Sequence, residues 1–189
     1  MQETTRVRVE AIIQKELSPN GRLLWSGKPR GGIQLRPFDA FIIPFSIMWG
    51  GFAFFWEYSV PTKGAPFFFT LWGIPFVLMG LYFIFGRFIF DAKQRENTYY
   101  GLTNGRIIIV SGLFSRNSKT LSLRTLSDIS LRQSSNGSSG TISFGPLNPM
   151  TSWLGGGFAW PGIPTGSNFE LIENVKDVYD KILAAQKEV

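Results

Sequence analysis

The chain reads as an α+β membrane protein: a hairpin of two transmembrane helices joined to a small antiparallel β domain that a C-terminal helix closes. Three observations predict this. Two charge-free apolar segments lie close together, Phe41 to Trp56 and Ala65 to Gly86. Most of the 18 Phe residues fall between Phe38 and Phe90. After that region, short β-type runs separated by turn residues lead to a final amphipathic segment.

The first apolar segment is bounded by Asp39 and Glu57, the second by Lys63 and Arg87. A bilayer core of about 30 Å needs about 20 helical residues. The second segment meets this alone, and the first does so with its flanks, giving spans of residues 38–58 and 65–87. Aromatic rings such as Trp56, Tyr58 and Tyr82 near the segment ends suit the headgroup level. Pro44 and Pro75 lie inside the spans, where helices in lipid tolerate them. Gly50, Gly51, Gly73 and Gly80 are the candidate positions for close packing of the two helices. The connection Ser59 to Gly64 is short, so the helices run antiparallel. Basic residues flank the pair on the chain-terminal side (Arg22, Lys28, Arg30 and Arg36 before it, Arg87, Lys93 and Arg95 after it), and the hairpin loop has only Lys63. This bias places the loop outside and both termini in the cytoplasm. Asp39, Glu57 and Asp91 read as markers of helix ends, and the helix interiors then hold no ionisable residue.

The N-terminal segment, residues 1–37, begins with a polar stretch that does not read as a signal peptide. Val9, Ile12, Ile13 and Leu17 fall on one face of a helix over Thr4 to Leu17, although Val7 and Val9 would also suit a strand. Ser18 to Gly21 is a turn. Leu23 to Gly27 reads as a short strand able to join the later sheet.

The remainder, residues 91–189, carries the β pattern. Tyr99 to Thr103 and Arg106 to Ser111 are strands joined at Asn104-Gly105, a hairpin signal. Ser118 to Ser122, Asp128 to Gln133, Thr141 to Phe144 and Phe169 to Ile172 are further strands. A helix over residues 174–187 has Asn174 as N-cap and Asp177 in its first turn. Val175, Val178, Tyr179, Ile182 and Leu183 form its apolar stripe. Such strands followed by one amphipathic helix suggest a curved sheet or partial barrel with the helix over an open end.

Composition narrows the chemistry. With no Cys and no His, disulfides, thiolate or imidazole metal sites and Ser-His or Cys-His nucleophiles are excluded. No phosphate loop or dinucleotide fingerprint occurs. No catalytic residue, cofactor or metal is expected, and the chain reads as non-enzymatic. The net charge of +6 is read as orientation charge beside membrane helices rather than as a nucleic-acid footprint.

Tyr100-Gly-Leu-Thr-Asn-Gly-Arg-Ile-Ile-Ile-Val110 resembles the opening hairpin of bacterial pleckstrin-homology domains. Leu121-Ser-Leu123, Leu126 to Leu131, Gly140-Thr-Ile-Ser-Phe144 and the final helix follow in the order of that family. Leu24-Trp-Ser-Gly-Lys-Pro29 ahead of a two-helix hairpin resembles its membrane-anchored members. The resemblance spans Leu23 to Ala184. It implies a pleckstrin-homology-like β-barrel or sandwich capped by a helix, at the cytoplasmic face of a bacterial inner membrane, with no enzymatic activity. Phosphoinositide binding does not carry over, because the first loop, Thr103 to Arg106, has one basic residue.

The candidate interface residues are the aromatics Trp153, Phe158 and Trp160, in the long Gly- and Pro-rich stretch from Gly145 to Ser167, and the basic residues Arg106, Arg116, Lys119 and Arg124, with Arg132 nearby. A long loop in a compact domain is usually functional or disordered, and disordered segments are poor in aromatics. This one is read as laying rings into the membrane interface or a partner. The bland readings are packing of the loop on its own domain, and solvated or paired cations on strand edges. The favoured function is a membrane-anchored domain that binds a partner protein as an accessory subunit of a membrane complex. Membrane lipids are contacts and homo-oligomers a further association. A lipid-headgroup or small-molecule binder is the alternative, and a minor transporter or channel component the third.

Overall fold

The computed structural model describes residues 2–17, 19, 21–35, 39–113, 115–134, 137, 139–145 and 167–188. Its elements in chain order are α1 (Gln2–Gln14), β1 (Leu23–Gly27), α2 (Asp39–Thr62), α3 (Phe67–Leu81), a π-helical turn (Tyr82–Gly86), α4 (Arg87–Glu96), β2 (Tyr99–Thr103), β3 (Arg106–Ser111), β4 (Asn117–Ser122), β5 (Ile129–Gln133), β6 (Ser139–Phe144), β7 (Asn168–Glu173) and α5 (Val175–Lys187). A 3-10 turn, Leu123–Thr125, separates β4 from β5.

The two apolar segments form an antiparallel helical hairpin, and both helices are long and apolar enough to cross a membrane. Both exceed the lengths expected from charge boundaries. α2 does not stop near Tyr58 but continues to Thr62 with Pro61 inside it. The Thr62 hydroxyl donates to the Ser59 carbonyl at 2.9 Å and closes the last turn. The second helix does not end at Arg87. It runs from Phe67 to Glu96, because Arg87 and Arg95 each have a partner that keeps them on the helix.

The strands form two antiparallel sheets, β1-β2-β3-β4 and β5-β6-β7. β1 precedes the hairpin and β2 follows it, yet they pair, with Trp25 opposite Leu102 and Gly27 opposite Tyr100. The Arg30 amide, just past β1, donates to the Leu171 carbonyl of β7 and ties the sheets together. Between the sheets, Leu102, Ile107, Ile142, Phe169 and Ile172 are fully or almost fully buried. α5 adds Val175, Val178 and Ile182 to this core. Its Gln186 side chain donates to the carbonyls of Leu123 and Leu126, fixing the helix over the gap between the two sheets.

A second, smaller core lies on the other face of the first sheet. α1 is a helix, and its Val9 and Ile13 pack against Ile108 and Val110. Ile13 is fully buried, which by itself is worth about 1.5–3 kcal/mol. Gly101 makes room for it, since a Cβ there would lie 2.6 Å from the Ile13 Cγ2. This explains the unbroken run Ile107-Ile108-Ile109-Val110, all buried. A strand covered on both faces has no polar side to alternate with.

One local expectation is met in a different geometry, and one is corrected. The β2–β3 hairpin forms, but neither Asn104 nor Gly105 has the positive φ that a type I′ turn requires. The Thr103 hydroxyl instead accepts the Arg106 amide at 3.0 Å, and Asn104 is used elsewhere, its Oδ1 accepting the Arg22 amide ahead of β1. Asn174 does not cap α5 through its side chain. It stands in the left-handed region at φ 50° and ψ 43°, since one residue must turn β7 directly into α5, and Asn tolerates that conformation.

Candidate functional site

The contact between α2 and α3 is built by heptad spacing. Gly73, Gly80 and Arg87 lie seven residues apart, as do Gly50 and Glu57, so each set returns to nearly the same side of its helix every two turns. Gly50 meets Gly80 at the closest approach: a Cβ on Gly80 would lie 3.0 Å from the Gly50 Cα. A Cβ on Gly50 would lie 2.8 Å from the Ile84 Cδ1. Gly73 lies against the Glu57 carboxyl, which leaves no room for a Cβ. Gly51 is the exception among the four glycines singled out for packing, because a Cβ there would meet nothing. Gly80→Leu is therefore expected to cost the helix pair about 1–3 kcal/mol through overpacking, and Gly51→Leu almost nothing. Unfolding in mixed micelles, followed by Trp49 emission, measures both.

The seam ends in charge where the hairpin meets the sheet domain. Arg87 Nη1 and Asp39 Oδ1 are 2.7 Å apart, with side chains only 10% and 7% exposed. The guanidinium also stands 4.3 Å from the centre of the Phe88 ring. Its Nε and Nη2 are buried without an acceptor among the described residues. Glu57, towards the loop end, has Oε2 buried and without a donor among the described residues. The expectation of helix interiors free of ionisable residues is thus corrected: the continuation of α2 to Thr62 puts Glu57 inside the helix.

A further polar contact fixes the linker after β1. Arg95 Nη2 donates to the Gly32 carbonyl at 2.9 Å and pairs with Asp91 Oδ2 at 2.7 Å. Together with the Arg30–Leu171 bond, this holds both strands of chain entering the hairpin against the sheet domain.

The basic candidates on the sheet domain do not gather. Arg116 precedes β4, where its Nη2 donates to the Ile12 carbonyl and pairs with Glu16 at 3.5 Å, so it serves the end of α1. Lys119 is exposed within β4, opposite Ile109. Arg124 is exposed in the turn after β4, and Arg106 is exposed at the start of β3. β4 is an outer strand of its sheet, and a Lys on such a strand guards the open edge against pairing with another chain. Trp153, Phe158 and Trp160 lie outside the described residues.

An open groove of about 560 Å³ runs beside β1, lined by Glu10, Leu23 to Ser26 and Lys181. Lys181 is paired there with Asp177 at 2.8 Å. Among the described residues no three acidic side chains gather as metal ligands.

The spacing 73–80–87 was present in the sequence as the signal for the helix seam. Only the register of one helix against the other shows that Asp39 meets Arg87 and that Glu57 meets a glycine. No protein-family model, curated protein or solved structure matches the chain.

Proposed function

We propose that this chain is a non-catalytic membrane anchor and display protein. The hairpin spans the membrane with both chain termini on the cytoplasmic side. The sheet domain is of the pleckstrin-homology type and binds a partner protein at the membrane surface, as an accessory subunit of a membrane complex.

The observation that carries this reading is the way the domain is joined to the hairpin. The β1–β2 pairing, the Arg30–Leu171 bond and the Arg95–Gly32 bond hold the domain to both ends of the hairpin. A tether would need none of these. A domain fixed at one height and angle suits docking onto a neighbour in the same membrane. The strand order of four and three with a closing helix and the Tyr100-to-Val110 pattern support the domain type.

The chain has no Cys, so single cysteines report topology cleanly. In sealed cells, Lys63→Cys is expected to react with a membrane-impermeant maleimide, and Ser118→Cys only after permeabilisation. The reverse pattern would overturn the orientation. Purification from native membranes in mild detergent tests the subunit reading. A defined partner at constant stoichiometry supports it, and elution as a lone monomer removes it.

A further inference from the structure

Among the described residues, the helix seam leaves one carboxyl inside the apolar hairpin with a buried oxygen that has no hydrogen-bond partner. Glu57 lies five residues before the end of α2, and its carboxyl rests against Gly73 of α3. α3 continues six residues past Gly73 to begin at Phe67. At 1.5 Å per residue that is about 9 Å of helix. Phe67, Phe68 and Phe69 on this stretch are 76%, 63% and 45% exposed, a surface that belongs in hydrocarbon. The carboxyl therefore lies within the apolar layer rather than beyond it. Oε2 is buried against Gly73 with no donor, and the residue as a whole is half-buried, so Oε1 is the oxygen that faces outward.

An ionisable side chain at such depth is costly unless compensated. The two spans hold no cation to compensate it. No Lys or Arg lies between Asp39 and Lys63 or between Lys63 and Arg87. Lys63 is in the turn beyond α2, and Arg87 is held by Asp39 at the far end of the seam. A second copy of the chain brings the same charge-free spans and so no cation at this depth.

We infer that Glu57 is a docking point for a partner transmembrane helix carrying a Lys or Arg in the loop-side half of the bilayer. This rests on the accessory-subunit reading and names what the partner must contain. Gly73 has a defined part: with no Cβ, it lets the carboxyl lie close to α3 with one oxygen left for the partner.

The test uses the whole protein in phosphatidylcholine vesicles and a labelled Leu-Ala host helix with one Arg at the depth of Glu57. A host helix with Leu at that position is the reference, and energy transfer reads association. The Arg helix is expected to bind about tenfold more tightly than the Leu helix. Glu57→Gln, which keeps the shape of the side chain and hence the hairpin packing, is expected to erase the difference. Equal binding of the two helices by the wild type overturns the inference, as does a preference that survives Glu57→Gln. Self-association of the wild type that Glu57→Gln abolishes also overturns it, by making a second copy the occupant. If the Arg preference holds while nothing co-purifies from native membranes, the docking point stands and the subunit reading falls. A native complex that co-purifies unchanged with Glu57→Gln keeps the subunit reading and overturns the docking point.

Discussion

Asp39→Ala is expected to destabilise the helix pair by about 3–5 kcal/mol, the usual consequence of removing one member of a buried ion pair. The reason is the state of Arg87 rather than the strength of the lost bond. Arg87 is 8% exposed, and two of its guanidinium nitrogens have no acceptor among the described residues. Without the Asp39 carboxylate, the face of Phe88 still stands 4.3 Å from the guanidinium. Such a contact is worth about 2 kcal/mol at most when desolvated. Arg87→Leu in the same background is expected to return most of the loss, because the double variant has no unpaired charge. The readout is the midpoint of unfolding in mixed micelles for the wild type, both single variants and the double. A double variant as unstable as Asp39→Ala would show that the two residues do not act as a pair.

Phe169→Ala is expected to cost the sheet domain about 3–5 kcal/mol, the range for truncating a buried Phe. Phe169 is fully buried and sits where both sheets meet. Its ring centre lies 5.5 Å from Trp25 on β1, 4.6 Å from Tyr100 on β2 and 5.0 Å from Phe144 on β6. The next residue is held as well, because the Glu170 amide donates to the Tyr100 hydroxyl at 3.1 Å. The cavity would therefore loosen the strand pairing on either side of the hairpin together with the sheet interface. Urea unfolding in detergent, followed by circular dichroism, measures the loss. Phe169→Leu, which keeps most of the volume, is expected to lose less than half as much. A loss under 1 kcal/mol for Phe169→Ala would contradict this central position.

The parts legible from sequence were those that local chemistry decides. Charge-free runs marked α2 and α3, turn residues separated the strands, and the 3/4 spacing of Val175, Val178 and Ile182 marked α5. The parts that escaped depend on which elements meet. The continuous run Ile107 to Val110 and the apolar face of α1 were each visible, but their union in a second core required α1 to lie on the outer face of the first sheet. Asn104 is the turn residue it was read as, but its side chain also accepts the Arg22 amide, a contact far away in sequence that the turn signal does not show. Asn174 stands at the N-cap position as read, but it makes no side-chain capping bond, because the direct join of β7 to α5 demanded a left-handed residue there. Glu57 looked like the end of a span because it is charged. Its place inside α2 follows from Pro61 and Thr62 remaining helical, which hydropathy does not reveal.

The position of the hairpin between β1 and β2 has a consequence for biosynthesis. A ribosome releases Leu23–Gly27 before the hairpin and Tyr99 only after it, so the first sheet cannot close until the helices have been made. If the hairpin spans a membrane as proposed, it can close only when β1 and β2 end on the same side. A chain in which just one helix crosses leaves β1 and β2 on opposite sides of the bilayer, with Trp25 unable to reach Leu102. The unpaired strands would then be open to proteases and chaperones. If the hairpin spans the membrane as proposed, closure of the first sheet excludes chains in which a single helix has crossed.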